Sequence, residues 1–329
     1  RLNFAASRTM RVAQQLYEGI ELGKEGSVGL ITYMRTDSVR ISEQASAQAR
    51  AFLKESFGDK YVPTKPRAYQ SGKKSQDAHE AIRPSYVDKT PDSIKQYLTR
   101  DQYRLYELIW RRFLASQAES AVYDTVQVKI ASTDQRALFS VSGSTLKFPG
   151  FLTLYPEQDN GAESEVPESL AEGQSCVLKE LKEDQHFTQP PARYTQASLV
   201  KELEELGIGR PSTYATIIDT IKKRGYVVEE EKKLVPTELG QVTVDLLKHY
   251  FDDIVDVDFT RELEARLDAI EEGENSPVKI LKGFYTAFDE KLKKAEKTAD
   301  KVEIADEQTD EPCPNCGRLL VVKMGRYGR

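Results

Sequence analysis

Apolar residues recur at every third or fourth position in several stretches of this chain, and such a period predicts amphipathic helices. In the first stretch, Met10, Ala13 and Leu16 fall on one face. Ser42 is a residue type that caps helices, and the last helical stretch carries proline in its first turn. We predict helices over residues 9–17, 43–57, 101–117, 195–206 and 211–224, and two more that begin at Thr260 and Ser276.

Two other regions follow the two-residue period of strands. Residues 123–183 alternate apolar and polar positions and predict a β-rich region, in which Cys176 is expected to be a buried, unreactive thiol. Residues 226–235 predict a β-hairpin directly after a pair of helices, which is the element order of a winged helix. The elements together predict an α+β, mainly helical fold.

Composition and charge permit several classes of protein. The chain has 329 residues, 30% of them charged, and is long enough for two or three packed units. A net charge of −6 argues against a nucleic-acid partner, because phosphate binding depends on Lys and Arg. However, residues 1–122 hold 20 Lys and Arg against 14 Asp and Glu, whereas residues 227–300 hold 11 against 19. An ordinary solvated surface explains this local excess at least as well as a nucleic-acid-binding face does.

The sequence predicts a cytoplasmic protein without a membrane partner. It has no apolar run of the length of a membrane helix, and its N-terminus lacks the pattern of a signal peptide. Three cysteines do not form an even disulfide framework, which fits a reducing compartment. The chain lacks an initiator methionine, so we expect a piece of a longer protein.

Residues 29–38 carry candidate nucleophilic chemistry. A phenol, Tyr33, lies two positions before a guanidinium, Arg35. A phenol with a pKa of about 10 is a weak nucleophile at neutral pH unless a base or a cation favours the phenolate. Arg35 could act in this way and could also stabilise charge that builds up on phosphate oxygens. In an extended segment, this spacing places both side chains on one side.

Two further segments carry groups that bind phosphates or transfer protons. His79 and Arg83 lie within five residues; a lone histidine is more often an ordinary surface residue, although an imidazole also suits proton transfer. A helix beginning at Pro211 would present free amides beside a guanidinium and two hydroxyls, which suits a phosphate. The side chains in question are Arg210, Ser212 and Thr213, and Arg224 lies at the other end of that helix.

Cys313 and Cys316 have the two-residue spacing of half a tetrathiolate zinc site. Because two thiolates alone bind zinc weakly, we expect this C-terminal segment to be disordered or free of metal.

Three of these segments resemble the signature sequences of one family, the bacterial type IA DNA topoisomerases. The strings are ITYMRTDS at residues 31–38, HEAIRP at residues 79–84 and GIGRPSTY at residues 207–214. The resemblance extends over essentially the whole chain. It implies that Tyr33 attacks a DNA phosphodiester and becomes joined to the 5′ phosphate, while Arg35 holds the scissile phosphate.

The resemblance also implies roles for the other candidate residues. His79 would lie near the tyrosine in the fold and would handle a phosphate or a proton. The residues expected to contact DNA are Arg35, His79, Arg83, Arg210, Ser212, Thr213 and Arg224.

The implied fold is a multidomain toroidal core with winged-helix-like elements and a β-rich connecting arch. Its parts would be a gate domain with the catalytic tyrosine (residues 1–122), an arch segment (123–150), a groove-lining domain (151–295), an acidic linker (296–311) and a truncated half zinc ribbon (312–329).

The implied reaction is independent of ATP: one DNA strand is cut, another is passed through, and the first is resealed. We expect a monomer, associated with the nucleoid, that relaxes negatively supercoiled DNA and prefers single-stranded regions. Mg²⁺ would be held by an N-terminal acidic domain that these residues do not contain, and Zn²⁺ by the complete C-terminal region. The chain alone is therefore expected to be inactive.

Two other interpretations remain open from the sequence. A DNA-binding module could use the winged helix without chemistry, with Tyr33 in its core. A tyrosine recombinase would use the same nucleophile but would form a 3′ phosphotyrosine.

Overall fold

A computed structural model describes residues 1–69, 79–156, 166, 170–271, 273–299 and 307–323. The chain divides into two compact units. Unit 1 comprises Arg1–Asn3 and Thr9–Pro190, and unit 2 comprises Phe4–Arg8 and Pro191–Arg329.

Helices and short antiparallel strand pairs alternate along the described chain. The helices are α1 (Ala6–Glu18), α2 (Glu43–Phe57), α3 (Pro91–Ile94), α4 (Arg100–Gln117), α5 (Gln196–Leu206), α6 (Tyr214–Lys223), α7 (Glu238–Tyr250), α8 (Val257–Glu271) and α9 (Pro277–Thr298). The strand pairs are β1 (Ile20–Glu21) with β2 (Ser27–Val28), β3 (Val122–Ala131) with β4 (Leu138–Phe148), β5 (Val227–Glu230) with β6 (Lys233–Pro236), and β7 (Glu307–Pro312) with β8 (Leu319–Val322). The predicted α+β, mainly helical class is confirmed.

The core of unit 1 forms where α1, α2 and α4 turn their apolar faces inward. Leu16, Leu53 and Leu114 are fully buried there. The polar atoms of the buried aromatic residues are paired: the Tyr106 hydroxyl donates to the Lys89 carbonyl over 2.7 Å, and the Trp110 indole N–H donates to a backbone carbonyl. Burial raises the pKa of the Tyr106 phenol well above its usual value.

Local capping fixes the helix starts that the sequence predicts. The Ser42 hydroxyl accepts a hydrogen bond from the Ala45 amide at the start of α2. At α4, Thr99 and Gln102 form a capping box, in which each side chain accepts from the other residue's backbone amide. These predicted helices begin within one residue of the expected positions.

The β-rich region is only partly confirmed. Residues 122–148 form the β3–β4 ribbon, but the described residues from 170 to 194 contain no strand. The expectation of a buried Cys176 is wrong, since that thiol is exposed and its neighbour Val177 is 88% exposed. Apolar alternation becomes a buried strand only where a partner strand or a core covers it.

Unit 2 contains the predicted order of helix, turn, helix and hairpin in α5, α6, β5 and β6. The sequence reasoning missed α7 altogether, and α8 begins at Val257 rather than at Thr260. Gly240 lowers the helical propensity of α7, yet it is needed there because a Cβ at this position would lie 2.1 Å from the Tyr226 carbonyl oxygen.

The two units differ from the predicted domain limits. Residues 151–156 belong to unit 1, because the Phe151 amide bonds to the Glu119 carbonyl over 2.9 Å and Leu154 is buried in its core. The predicted acidic linker overlaps the end of α9 and the strand β7. The C-terminal segment, residues 312–329, was expected to be disordered or free of metal, but Pro312 and residues 319–322 take part in the β7–β8 pair. Among the described residues, no helix has both the length and the apolar character needed to cross a membrane.

Candidate functional site

The segment that carries Tyr33 is anchored to unit 1 through its backbone. The amide of Leu30 donates to the Leu16 carbonyl over 2.7 Å, and the Leu30 carbonyl accepts from Ser85. Ile31 pairs with Pro84 in an isolated antiparallel bridge. Because Leu30 and Ile31 are buried, the residues just before Tyr33 have a fixed position.

Thr32 adds a side-chain anchor directly before the phenol. Its hydroxyl donates to the Ala81 carbonyl over 2.7 Å and accepts from the Arg83 amide over 2.9 Å. The Thr32 amide in turn donates to the Arg83 carbonyl. These bonds join the two segments that contain Tyr33 and His79, although 46 sequence positions separate the two residues.

The Tyr33 ring is half-buried between two other rings. Its centroid lies 5.2 Å from that of His79 and 5.3 Å from that of Tyr17, which meets it edge-on. The expected proximity of His79 to Tyr33 is therefore confirmed. This arrangement places a group that can exchange protons in contact with a phenol that is neither sealed in the core nor fully solvated.

Arg35 lies where the chain turns away from the extended segment. The backbone bends at Met34 and Arg35, so the alternation of an extended strand does not continue to Arg35. The spacing argument for placing Tyr33 and Arg35 on one side is therefore wrong, although their closeness along the chain remains. Arg35 is exposed, and within the described chain its guanidinium forms no ion pair. An exposed guanidinium without a carboxylate is suited to bind a phosphate.

Arg83 is held by partners inside unit 1. Its guanidinium pairs with Glu80 over 2.7 Å and donates to the Pro84 carbonyl over 3.0 Å. The residue thus stabilises the turn that carries His79, and its predicted contact with DNA remains a prediction.

The third predicted segment lies in unit 2, and its helix begins later than expected. Residues 211–213 form a turn, and α6 starts at Tyr214 rather than at Pro211. The amides of Thr213 and Tyr214 both donate to the Arg210 carbonyl, so they are not the free amides that the sequence suggested. The turn forms because proline follows Arg210 and because the Thr213 hydroxyl bonds to both the amide and the carbonyl of Arg210.

The Arg210 side chain is engaged by two carboxylates of α8. Its Nη2 lies 2.6 Å from Asp268, and its Nη1 lies 3.5 Å from Glu264. Ser212 is exposed beside it, and Arg224 is exposed at the C-terminal end of α6. The structure thus brings Arg210, Ser212 and Thr213 into one turn and leaves Arg224 at the opposite end of the helix.

Cys313 and Cys316 lie in the turn between β7 and β8. Hydrogen bonds from the backbone amides of Asn315 and Cys316 lower the pKa of the Cys313 thiol. Bonds of this kind favour the thiolate, which is the form that binds metal. The pair therefore fits half of a zinc site. Within the described residues, no group of three or more His, Cys, Asp or Glu side chains is arranged to hold a metal ion.

Sequence reasoning missed Tyr17, Glu264 and Asp268. Tyr17 gives no local signal, because it appears only as the apolar edge of α1. The spacing of Glu264 and Asp268 shows that they share one face of a helix, but nothing in the sequence shows that this face meets the Arg210 turn.

Comparison with known proteins matches the part of the chain that contains Tyr33, His79 and Arg210. A family model described as DNA topoisomerase matches residues 1–282. Among solved structures, full-length topoisomerase I from Thermotoga maritima in a monoclinic crystal form is similar to this chain, with a TM-score of 0.76 and 36% sequence identity. The match covers 100% of this chain and 52% of that one, so the chain spans about half the length of the protein it matches.

Proposed function

The chain belongs to the bacterial type IA DNA topoisomerases, and we propose that it is the part of such an enzyme that cuts one DNA strand with Tyr33. The observation that carries the proposal is the Tyr33 ring, half-buried against His79 on a segment anchored by backbone bonds. A nucleophile needs a fixed position and access to its substrate, and this setting supports both.

The proposed reaction is a transesterification. The Tyr33 oxygen loses its proton and attacks phosphorus, and the bond from phosphorus to the 3′ oxygen breaks. The 3′ oxygen takes up a proton and leaves as a 3′ hydroxyl. The 5′ phosphate is then joined to Tyr33. Because one phosphodiester replaces another, the reverse attack by the 3′ hydroxyl reseals the strand without ATP, after a second strand has passed.

The other residues have proposed roles around this step. Arg35 neutralises the charge on the scissile phosphate, and His79 contacts a phosphate or carries the proton of the phenol. Contacts to the rest of the strand would come from Arg83, Arg210, Ser212, Thr213 and Arg224. The proposed substrate is negatively supercoiled DNA, entered at single-stranded regions, and the enzyme is proposed to act as a cytoplasmic monomer at the nucleoid.

In this proposal, the metal ions are not bound by the residues that cut the strand. Mg²⁺ would be held by acidic residues beyond this chain and would help to bind the phosphates. Zn²⁺ would be held by Cys313 and Cys316 together with a second pair of thiolates. We therefore propose that the chain alone does not relax DNA.

The test is to trap the covalent intermediate. The complete enzyme that carries this chain is incubated with Mg²⁺ and a single-stranded oligonucleotide labelled at its 3′ end, then denatured and separated on a gel. Protein-bound label should form, should disappear in Tyr33→Phe, and should persist in Tyr17→Phe, which removes the neighbouring hydroxyl and keeps its ring. Label that survives Tyr33→Phe would remove Tyr33 from the reaction.

The same experiment separates the alternatives. A non-catalytic winged-helix module binds the oligonucleotide but traps no label. A tyrosine recombinase is joined to the 3′ phosphate of the upstream fragment and retains a label at the 5′ end of the oligonucleotide. The proposed enzyme is joined to the 5′ phosphate of the downstream fragment and retains a label at the 3′ end, so labelling each end in turn decides between them. Relaxation of a supercoiled plasmid by these 329 residues alone would contradict the proposed division of the enzyme.

A further inference from the structure

One face of α8 contacts the loop that carries Arg210. Glu264 accepts a hydrogen bond from the Gly209 amide over 3.2 Å, and Asp268 pairs with Arg210. One turn earlier, the Cγ of Arg261 lies 3.3 Å from the position that a Cβ at Gly207 would occupy. The three α8 residues are spaced three and four positions apart and therefore share one helix face.

We infer that Glu264 and Asp268 are positioning residues, which hold the Arg210 guanidinium and its loop in the conformation that binds a DNA phosphate. This inference rests on the proposed function of Arg210. It assigns to α8 a part in DNA binding that needs no contact between α8 and DNA.

The contacts leave Arg210 able to bind a phosphate. A guanidinium carries five N–H groups. The carboxylates and the Gly209 carbonyl use the two terminal nitrogens, with Nη1 donating to that carbonyl over 2.8 Å. At most three N–H groups are engaged in this way, and the side chain is 34% exposed. The remaining donors can therefore reach a ligand from solvent while the carboxylates fix the orientation of the guanidinium.

The hydrogen bond from the Gly209 amide to Glu264 distinguishes two possibilities. Either the carboxylates position Arg210, or they only compete with DNA for its guanidinium. If the carboxylates only competed with DNA for Arg210, they would need to touch nothing but its guanidinium. Glu264 instead also holds the Gly209 amide, and Thr213 ties both backbone groups of Arg210 into the turn. The loop is thus fixed at its backbone as well as at its charged end, as expected of a preorganised binding group.

Positioning and simple competition predict opposite effects of removing a carboxylate on the affinity for DNA. Removal of a negative charge close to a DNA-binding surface strengthens binding when only net charge matters, because the phosphates are then repelled less. If Asp268 positions Arg210, its removal weakens binding instead.

The experiment measures binding of a fluorescently labelled single-stranded oligonucleotide to the 329-residue chain by anisotropy. The variants are Asp268→Asn, Glu264→Gln, Arg210→Ala and the pair Arg210→Ala with Asp268→Asn. Glu262→Gln is the matched control: it removes the same charge from the same helix, where Glu262 pairs with Arg266 and not with the loop. Asp268→Asn and Glu264→Gln should each weaken binding about three- to tenfold, whereas Glu262→Gln should leave it equal or slightly stronger.

The double variant distinguishes the positioning of Arg210 from a general loss of structure. Once Arg210 is alanine, Asp268→Asn should have no further effect on affinity. A loss that persists in the Arg210→Ala background would mean that Asp268 supports the fold, and it would overturn the inference.

The remaining outcomes separate the inference from the proposed function. Equal or tighter binding by Asp268→Asn, while Arg210→Ala binds more weakly, overturns the positioning role and leaves the proposed function intact. Unchanged binding by Arg210→Ala, or no binding by the unaltered chain, overturns the proposed DNA contact and the inference with it.

Discussion

Unit 1 and unit 2 differ in the interactions that stabilise each of them internally. Among the described residues, every buried hydrophobic side chain belongs to the core of unit 1, except Ile218, Leu234 and Ala295 in unit 2. Both units carry ion pairs at their surface, and in unit 2 those of Arg210 join its loop to α8. Exposed ion pairs are weakened by the screening of charges in salt, whereas apolar burial is not.

This difference agrees with the proposed tasks of the two units. Tyr33 follows buried residues and is fixed by backbone bonds, as a nucleophile that must reach phosphorus in one geometry requires. Arg210 is fixed by partly exposed charges, and the charge of the proposed DNA strand would change the interactions of those charges. If stability and function divide between the units in this way, substitutions in each unit should have separate effects.

The largest effect on stability is expected at the centre of the unit 1 core. Leu16→Ala should lower the free energy of unfolding of unit 1 by about 2–5 kcal/mol, because it leaves a cavity in a fully buried site. Trp110, the only tryptophan of the chain, lies in this core, so its fluorescence during urea denaturation reports on unit 1 alone.

Two control variants complete this experiment. Leu138→Ala removes the same atoms from an exposed position of β4, so it should change the free energy by less than about 0.5 kcal/mol. Ile218→Ala makes a cavity in unit 2 and should leave the Trp110 transition in place. A shift of that transition by Ile218→Ala would show that the two units unfold together.

A smaller effect is expected at the anchor of the nucleophile. Thr32→Val keeps the shape of the side chain but leaves the Ala81 carbonyl and the Arg83 amide without their shared hydroxyl. It should cost about 1–3 kcal/mol of stability and should also reduce trapping of the covalent intermediate, since the bonds next to Tyr33 are lost. Urea denaturation measures the loss of stability, and the labelled oligonucleotide measures the trapping.

Thr32→Ser is the matched variant, because it keeps the hydroxyl and removes only a methyl group. It should retain most of the stability and most of the trapping. If Thr32→Val traps as much label as the unaltered enzyme, the backbone bonds alone position Tyr33, and the Thr32 hydroxyl has no part in it.

The sequence predicts those features of the structure whose signal lies within a few neighbouring residues. The helix start after Ser42 was predictable, since a cap acts within one turn. The meeting of His79 and Tyr33 came from the resemblance to a family rather than from periodicity. The late start of α6 was not predictable, because Pro211 suits the first turn of a helix as well as the turn that precedes one.

The missed parts have in common that a distant partner decides them. Cys176 was expected to be buried because its neighbours alternate, but no described strand covers them. Glu264 and Asp268 look like ordinary charges on a solvated helix until the fold places the Arg210 loop against them. A single sequence records which face a residue occupies, but not what packs against that face.

The smallest predicted effect concerns an ion pair that joins α6 to β5 in unit 2. Glu229 accepts from the Lys222 ammonium group and from the Gln196 amide over 2.9 Å, and the first of these lowers the pKa of its carboxyl group below the usual value. The folded state therefore binds the proton less readily than the unfolded state. The stabilisation is present above the unfolded pKa of about 4.3 and is lost as the pH falls through the lower folded pKa.

Glu229→Gln should thus destabilise the β5–β6 hairpin by less than about 1 kcal/mol at pH 7, because the pair is partly exposed. Below the lowered pKa of Glu229 in the folded state, the variant and the unaltered chain should converge. Hydrogen exchange of the hairpin amides measures this difference at each pH. Glu230→Gln removes the neighbouring carboxylate, which within the described chain forms no ion pair, and should have no effect. An equal effect of both substitutions would assign the stabilisation to net charge rather than to the bond with Lys222, and unit 2 would then depend on ion pairs less than its contacts indicate.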